Sequence, residues 1–140
     1  MSMESRGRGR VAAAALVLSG AALLSFLSRT FLDYRFVYAE LGVDGGALGW
    51  ATVFNLLFYA VWIGALVAAS HGVRLAMWML LGYAILLVAF GIYTVTVLCP
   101  TPCRTGWPVG EISIWSNLLM GVLAGAAVAL NLRRTRPPAA

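Results

Sequence analysis

Four stretches of the chain run almost without charge, at about 11–28, 48–70, 75–98 and 112–132, and more polar segments separate them. A helix crosses about 30 Å of hydrocarbon with roughly 20 apolar residues, so each stretch is long enough to span a membrane. The pattern predicts an all-α polytopic membrane protein, a four-transmembrane-helix antiparallel bundle made of one domain, 1–140. Its connections are an inner tail at 1–10, an outer loop at 29–47, an inner loop at 70–74, an outer loop at 99–111 and an inner tail at 133–140. The first stretch has a second reading. MSMESRGRGR followed by VAAAALVLSGAALLSFLS has the basic start, apolar run and small residues of a cleaved secretory signal. The run continues through Phe26 and Leu27, longer than such a signal needs, which favours a retained anchor.

Composition agrees with the pattern. The chain is 61% hydrophobic and 11% charged, with a mean hydropathy of +0.88, too little charge to coat a soluble domain of this size. Arginine sets the orientation, because there is no lysine. With the N-terminus inside, Arg6, Arg8, Arg10, Arg74, Arg133, Arg134 and Arg136 are inside, while Arg29, Arg35 and Arg104 are outside. That asymmetry is the positive-inside bias and gives an N-in/C-in topology. The same bias, with attraction to anionic lipid, accounts for the net charge of +5 without invoking nucleic acid. The all-arginine basic set and the heavy use of alanine, glycine and valine fit a GC-rich bacterial genome, so the expected location is the inner (plasma) membrane.

Small residues recur at helical spacing. Ala60, Gly64 and Ala68 on the second helix, and Gly121, Gly125 and Ala129 on the fourth, are each four apart. In lipid such stripes let helix backbones approach closely, so both are expected to face other helices, with a homodimer through Gly121 and Gly125 as the alternative. No charged residue is expected deep in a span, because Arg29 is assigned to the first outer loop. That absence argues against a proton-coupled pump. His71 falls in the inner loop, and no His/carboxylate cluster suggests a metal.

Neutral polar residues share a depth on the outer side. Asn55 and Asn117 each lie about seven residues below an outer helix end, near 10 Å, and Ser25, Thr52, Tyr59, Tyr93 and Thr94 approach the same layer. Two readings follow: an interhelical hydrogen-bond layer, or a polar pocket open to the outer leaflet that holds a lipid or quinone headgroup. The inner half is nearly all apolar, which argues against a polar through-pore. The first outer loop interleaves Phe31, Tyr34, Phe36 and Tyr38 with charges and is read as an interfacial cap, or else a partner-docking surface. Trp107 and Trp115 are expected as interfacial anchors.

The remaining chemistry is the segment VLCPTPCRTG, where Cys99 and Cys103 are the only cysteines. Outside the cytoplasm the default is a disulfide. An extended run of four residues would separate the Cα atoms by about 12 Å, while a disulfide needs roughly 4.4–6.8 Å. The segment must therefore fold back, and Pro100 and Pro102 favour a turn. A redox-active pair and a Cu(I) site are the other two readings. A small bundle with outer-face cysteines before its last helix is similar in outline to the four-helix membrane oxidoreductases of the DsbB/VKOR class. That resemblance implies thiol–disulfide exchange with a quinone near Cys99 and Cys103. The class relays electrons through a second Cys-x-x-Cys pair, and GALGWATVF at the start of helix two holds no cysteine, so its mechanism does not carry over. The expected function is a non-enzymatic accessory subunit or lipid- or partner-interacting protein that works through its outer face, with a structural Cys99–Cys103 clamp and no cofactor. A quinone-linked oxidoreductase is the alternative, and a small-molecule transporter is third.

Overall fold

The computed structural model describes residues 3–32, 45–98 and 108–135. They form α1 (Met3–Leu32), α2 (Gly45–Ser70), α3 (Arg74–Tyr93), which runs on into a π-type turn (Thr94–Leu98), and α4 (Pro108–Arg134). All four are long and apolar enough to cross a membrane. The outward surfaces support this. Leu24, Phe54, Leu57, Ile85, Leu119 and Leu130 are exposed on faces that a soluble bundle would make polar.

The helices begin and end where the local chemistry allows. α4 starts on Pro108, whose missing N–H and fixed φ suit the first helical position. Between α2 and α3 the turn is a Schellman motif. The Val73 amide donates to the Ala68 carbonyl at 3.1 Å and the Gly72 amide to that of Ala69 at 3.0 Å. Gly72 sits at φ +83, a conformation that costs a side chain but not glycine. α3 ends in the wider π pattern just before the segment that holds Pro100, which has no amide proton to continue the ladder. Threonine hydroxyls cover its carbonyls: Thr94 donates to Phe90 at 2.8 Å and Thr96 to Ile92 at 2.8 Å. α1 is longer than the sequence pattern suggests, because its arginine- and alanine-rich start and the SRTFL segment are both compatible with helix.

α4 is the centre of the arrangement, with its most extensive contact to α1 and the next to α3. α2 packs mainly on α3. The α3–α4 seam shows its register: Ala84 lies by Gly125, Leu87 by Gly121, and Leu118 by Gly91, so contacts ascend one helix as they descend the other. α1 turns Ala15, Ser19 and Ala22 inward, and α4 turns in Asn117, Ala124, Val128 and Asn131. α2 buries Tyr59, Trp62, Ala65 and Ala69. Trp62 stacks on Tyr83 with ring centroids 4.7 Å apart, and Phe26, Phe58 and Phe90 extend the cluster.

One expected stripe is corrected. On α2, Ala60 and Gly64 lie on the exposed face, and a Cβ on Gly64 would meet nothing within 4 Å. Gly64 is two residues from Trp62, so at about 100° per residue it points away from the face that buries the indole. The bulky aromatic side, with Ala65 and Ala69, makes the contact instead. The α4 stripe does face a neighbour, with Gly121 and Gly125 against α3 and Ala129 half-buried.

A candidate polar site at the Arg29 end

Several interhelical polar contacts of the described residues involve the late residues of α1, and the Tyr83 hydroxyl on α3 donates to the Phe58 carbonyl on α2 at 3.4 Å. Ser25 on α1 donates its hydroxyl to Asn117 Oδ1 on α4 at 2.5 Å, and its oxygen lies 3.3 Å from that of Ser116. Asn117 is buried, and its Nδ2 has no hydrogen-bond partner among the described residues. Tyr59 on α2 donates to the Thr30 hydroxyl, which in turn donates to the Phe26 carbonyl at 3.0 Å. Each hydroxyl thus finds an acceptor, as hydrocarbon demands.

The other residues expected in this layer are placed differently. Thr94 is buried and bonds within its own helix. Tyr93 is about half exposed, Thr52 is exposed and Asn55 half-buried. Asn55 lies one turn before Tyr59, and it is Tyr59 that reaches the level of Phe26 and Thr30. The structure therefore joins Ser25 to Asn117 and Ser116, and separately Tyr59 to Thr30; Thr30 and Ser116 are residues that no pattern in the sequence singles out. Trp115 is exposed. Cys99, Cys103 and Trp107 lie outside the described residues, as do most of both outer loops.

Arg29 is the main correction. It is not in a loop but in the last turn of α1, only 7% exposed, with its Cζ 5.8 Å from the centroid of the Phe90 ring. A guanidinium over an aromatic face at that distance makes a cation–π contact. The inward positions of α1 run 15, 19, 22, 26 and 29, spacings of three and four that keep one helix face. That register, read from Ala15, Ser19 and Ala22, is the signal that could place Arg29 inside.

A groove of about 510 Å³ runs between α3 and α4, lined by Ala84, Ile85, Val88, Gly121, Gly125 and Ala129 among others, all apolar. It is separate from the polar layer. Among the described residues no three His, Cys, Asp or Glu side chains come together. No family model, curated protein or solved structure matches the chain.

Proposed function

We propose that the protein is a non-enzymatic inner-membrane bundle, antiparallel with both termini inside, that binds lipid or a membrane partner through its outer face. α1 is retained in this reading, because it provides the largest contact of α4. Cys99 and Cys103 form a structural clamp on the same face. The observation that supports it is the location of the polar groups. Hydrogen bonds of Ser25 with Ser116 and Asn117, and of Tyr59 with Thr30, join side chains of different helices at the Arg29 end, while the described lateral surface is rich in exposed apolar residues. By the arginine distribution, that end is the outer one.

The test is photo-cross-linking in native membranes. A photoreactive residue replaces Trp115 or Tyr93 near the Arg29 end, and Leu75 or Leu130 near the Gly72 end; all four positions are exposed. Adducts are expected in excess from the first pair. Equal yields, or an excess from Leu75 and Leu130, would remove the outer-face reading.

A further inference from the structure

We infer that the α3–α4 groove is a binding site for an anionic phospholipid of the inner leaflet, with an acyl chain in the groove and the phosphate between Arg74 and Arg133. The inference goes beyond the outer-face reading and stands independently of it. On α3 the groove is lined by Leu81, Ile85, Val88 and Ile92, spacings of three and four that keep one helix face. The same spacings carried back from Leu81 reach Trp78 and then Arg74. At about 100° per residue, Arg74 lies only about 20° round the helix from Leu81. On α4 the groove is lined by Val122, Ala126 and Ala129, and the next position of that series is Arg133. Both arginines and Trp78 are exposed. The register that places Ala84 by Gly125 and Leu87 by Gly121 sets Arg74 level with Arg133 and Arg134, at the Gly72 end. That end is the inner one by the arginine distribution.

Neither guanidinium has an ion pair or a side-chain hydrogen bond among the described residues. The inner segments carry one carboxylate, Glu4, on a stretch that also holds Arg6, Arg8 and Arg10. Two like charges at one level repel. A phosphodiester between them relieves the repulsion, and each guanidinium offers it a planar fork of donors. The groove determines what is attached to the phosphate. Its volume is about 510 Å³ and its lining side chains are apolar, so it takes hydrocarbon. From the level of Arg74, a chain of one leaflet descends about 15 Å, half of the hydrocarbon core. That is about ten residues of helix, which reaches Ala84 and Gly125 and fills the inner half of the groove. A second copy is the rival occupant. Copies inserted alike in one membrane would set the same arginines against each other at one depth, and like charges oppose that pairing.

The experiment is thermal unfolding of the delipidated full-length protein in detergent. Phosphatidylglycerol, phosphatidylcholine and inorganic phosphate are each added to the wild type, R74Q, R133Q, R134Q and A126L. All four substituted positions are exposed. A ligand of the native state raises the midpoint with the logarithm of its concentration, which gives its affinity. Arg134 adjoins Arg133 but points about 100° away from it, so R134Q removes the same charge outside the groove. Diffuse attraction to a basic surface weakens about fivefold for either arginine lost. Loss of a bond to the phosphate costs about tenfold or more. The expected result is a larger rise with phosphatidylglycerol than with phosphatidylcholine. Affinity for phosphatidylglycerol should fall about tenfold or more in R74Q and R133Q and about fivefold at most in R134Q. A126L, whose added bulk occupies the groove, should reduce the rise. Equal losses in R133Q and R134Q, or equal rises with the two lipids, would overturn the inference. So would a rise with inorganic phosphate equal to that with lipid, because the groove would then contribute nothing. A wild-type midpoint unmoved by phosphatidylglycerol overturns it whether or not the variants fold, and leaves the face to a protein partner. Dimers seen by light scattering and dissociated by A126L would give the groove to a second copy instead. Leu75 and Leu130 lie roughly 100° off the groove faces, so cross-linking there reports separately on the outer-face reading.

Discussion

Replacing Gly121 and Gly64 by alanine, one at a time, tests which small-residue stripe is a seam. A Cβ on Gly121 would stand 3.0 Å from Val88 Cγ2, 3.2 Å from Leu87 Cβ and 3.3 Å from the Ala84 carbonyl oxygen. Carbon atoms in contact rest about 3.5–4.0 Å apart. The valine methyl can yield, but Leu87 Cβ and the Ala84 carbonyl are fixed to the backbone of α3, so the helices must separate by a few tenths of an ångström. Overpacking of this kind costs about 1–3 kcal/mol. The Gly64 Cβ meets nothing within 4 Å. Both substitutions gain the same helix propensity, about 1 kcal/mol, which cancels in their difference. G121A should therefore be less stable than G64A by about 1–3 kcal/mol, where every 1.4 kcal/mol or so is a factor of ten in the equilibrium. Reversible unfolding in bicelles, read by steric trapping, measures the difference. Equal stabilities, or a less stable G64A, would refute the α3–α4 seam at Gly121 and put the α2 stripe at an interface.

A double-mutant cycle on Ser25→Ala and Asn117→Ala should give a coupling near 0.6 kcal/mol and no more than about 1.7, the range for polar pairs between membrane helices; zero coupling would mean the bond between them is absent in the membrane. Trp62→Ala should cost about 3–5 kcal/mol, as for large aromatic truncations in a core, because Trp62 is 1% exposed. Trp50→Ala, at a position 79% exposed, should stay within about 0.5 kcal/mol; similar losses at both sites would argue against the orientation of α2. The Cys99–Cys103 pair should show a reduction potential below about −300 mV, as structural disulfides do, and should label with an impermeant maleimide after reduction without opening the cells. A potential between about −120 and −200 mV would mark an exchangeable pair and favour the oxidoreductase.

Much of the helical plan is legible in the sequence, because length without charge is a property of the chain alone. SHGVR reads as the tight connection that it is, since a glycine there provides the left-handed turn. Faces are harder. A helix that is apolar all round has no amphipathic stripe to orient it, so Ala60–Gly64–Ala68 and Gly121–Gly125–Ala129 look equivalent. What separates them is the neighbour each helix meets: α2 turns Trp62 onto Tyr83, and that choice points Gly64 outward. Arg29 misleads for a related reason. A charge reads as the end of the span, whereas the helix continues through Leu32 and keeps Arg29 in register with Ala15, Ser19 and Ala22.

The most extensive contact joins the first helix to the last, and this has a consequence for synthesis. Ser25 and its partner Asn117 are 92 residues apart, a length a ribosome makes in roughly 5–20 s at about 5–20 residues per second. The α2–α3 hairpin closes locally as soon as both halves are in the bilayer. α1 can meet it only through Phe26, Arg29 and Thr30, because α4, its most extensive partner, has not yet been made. For those seconds α1 presents its small-residue face, Ala15, Ser19 and Ala22, to the bilayer and to other newly inserted helices. Arrival of α4 closes the bundle, so a chain truncated before Pro108 would leave α1 in that waiting state, where a membrane protease recognises an unassembled subunit.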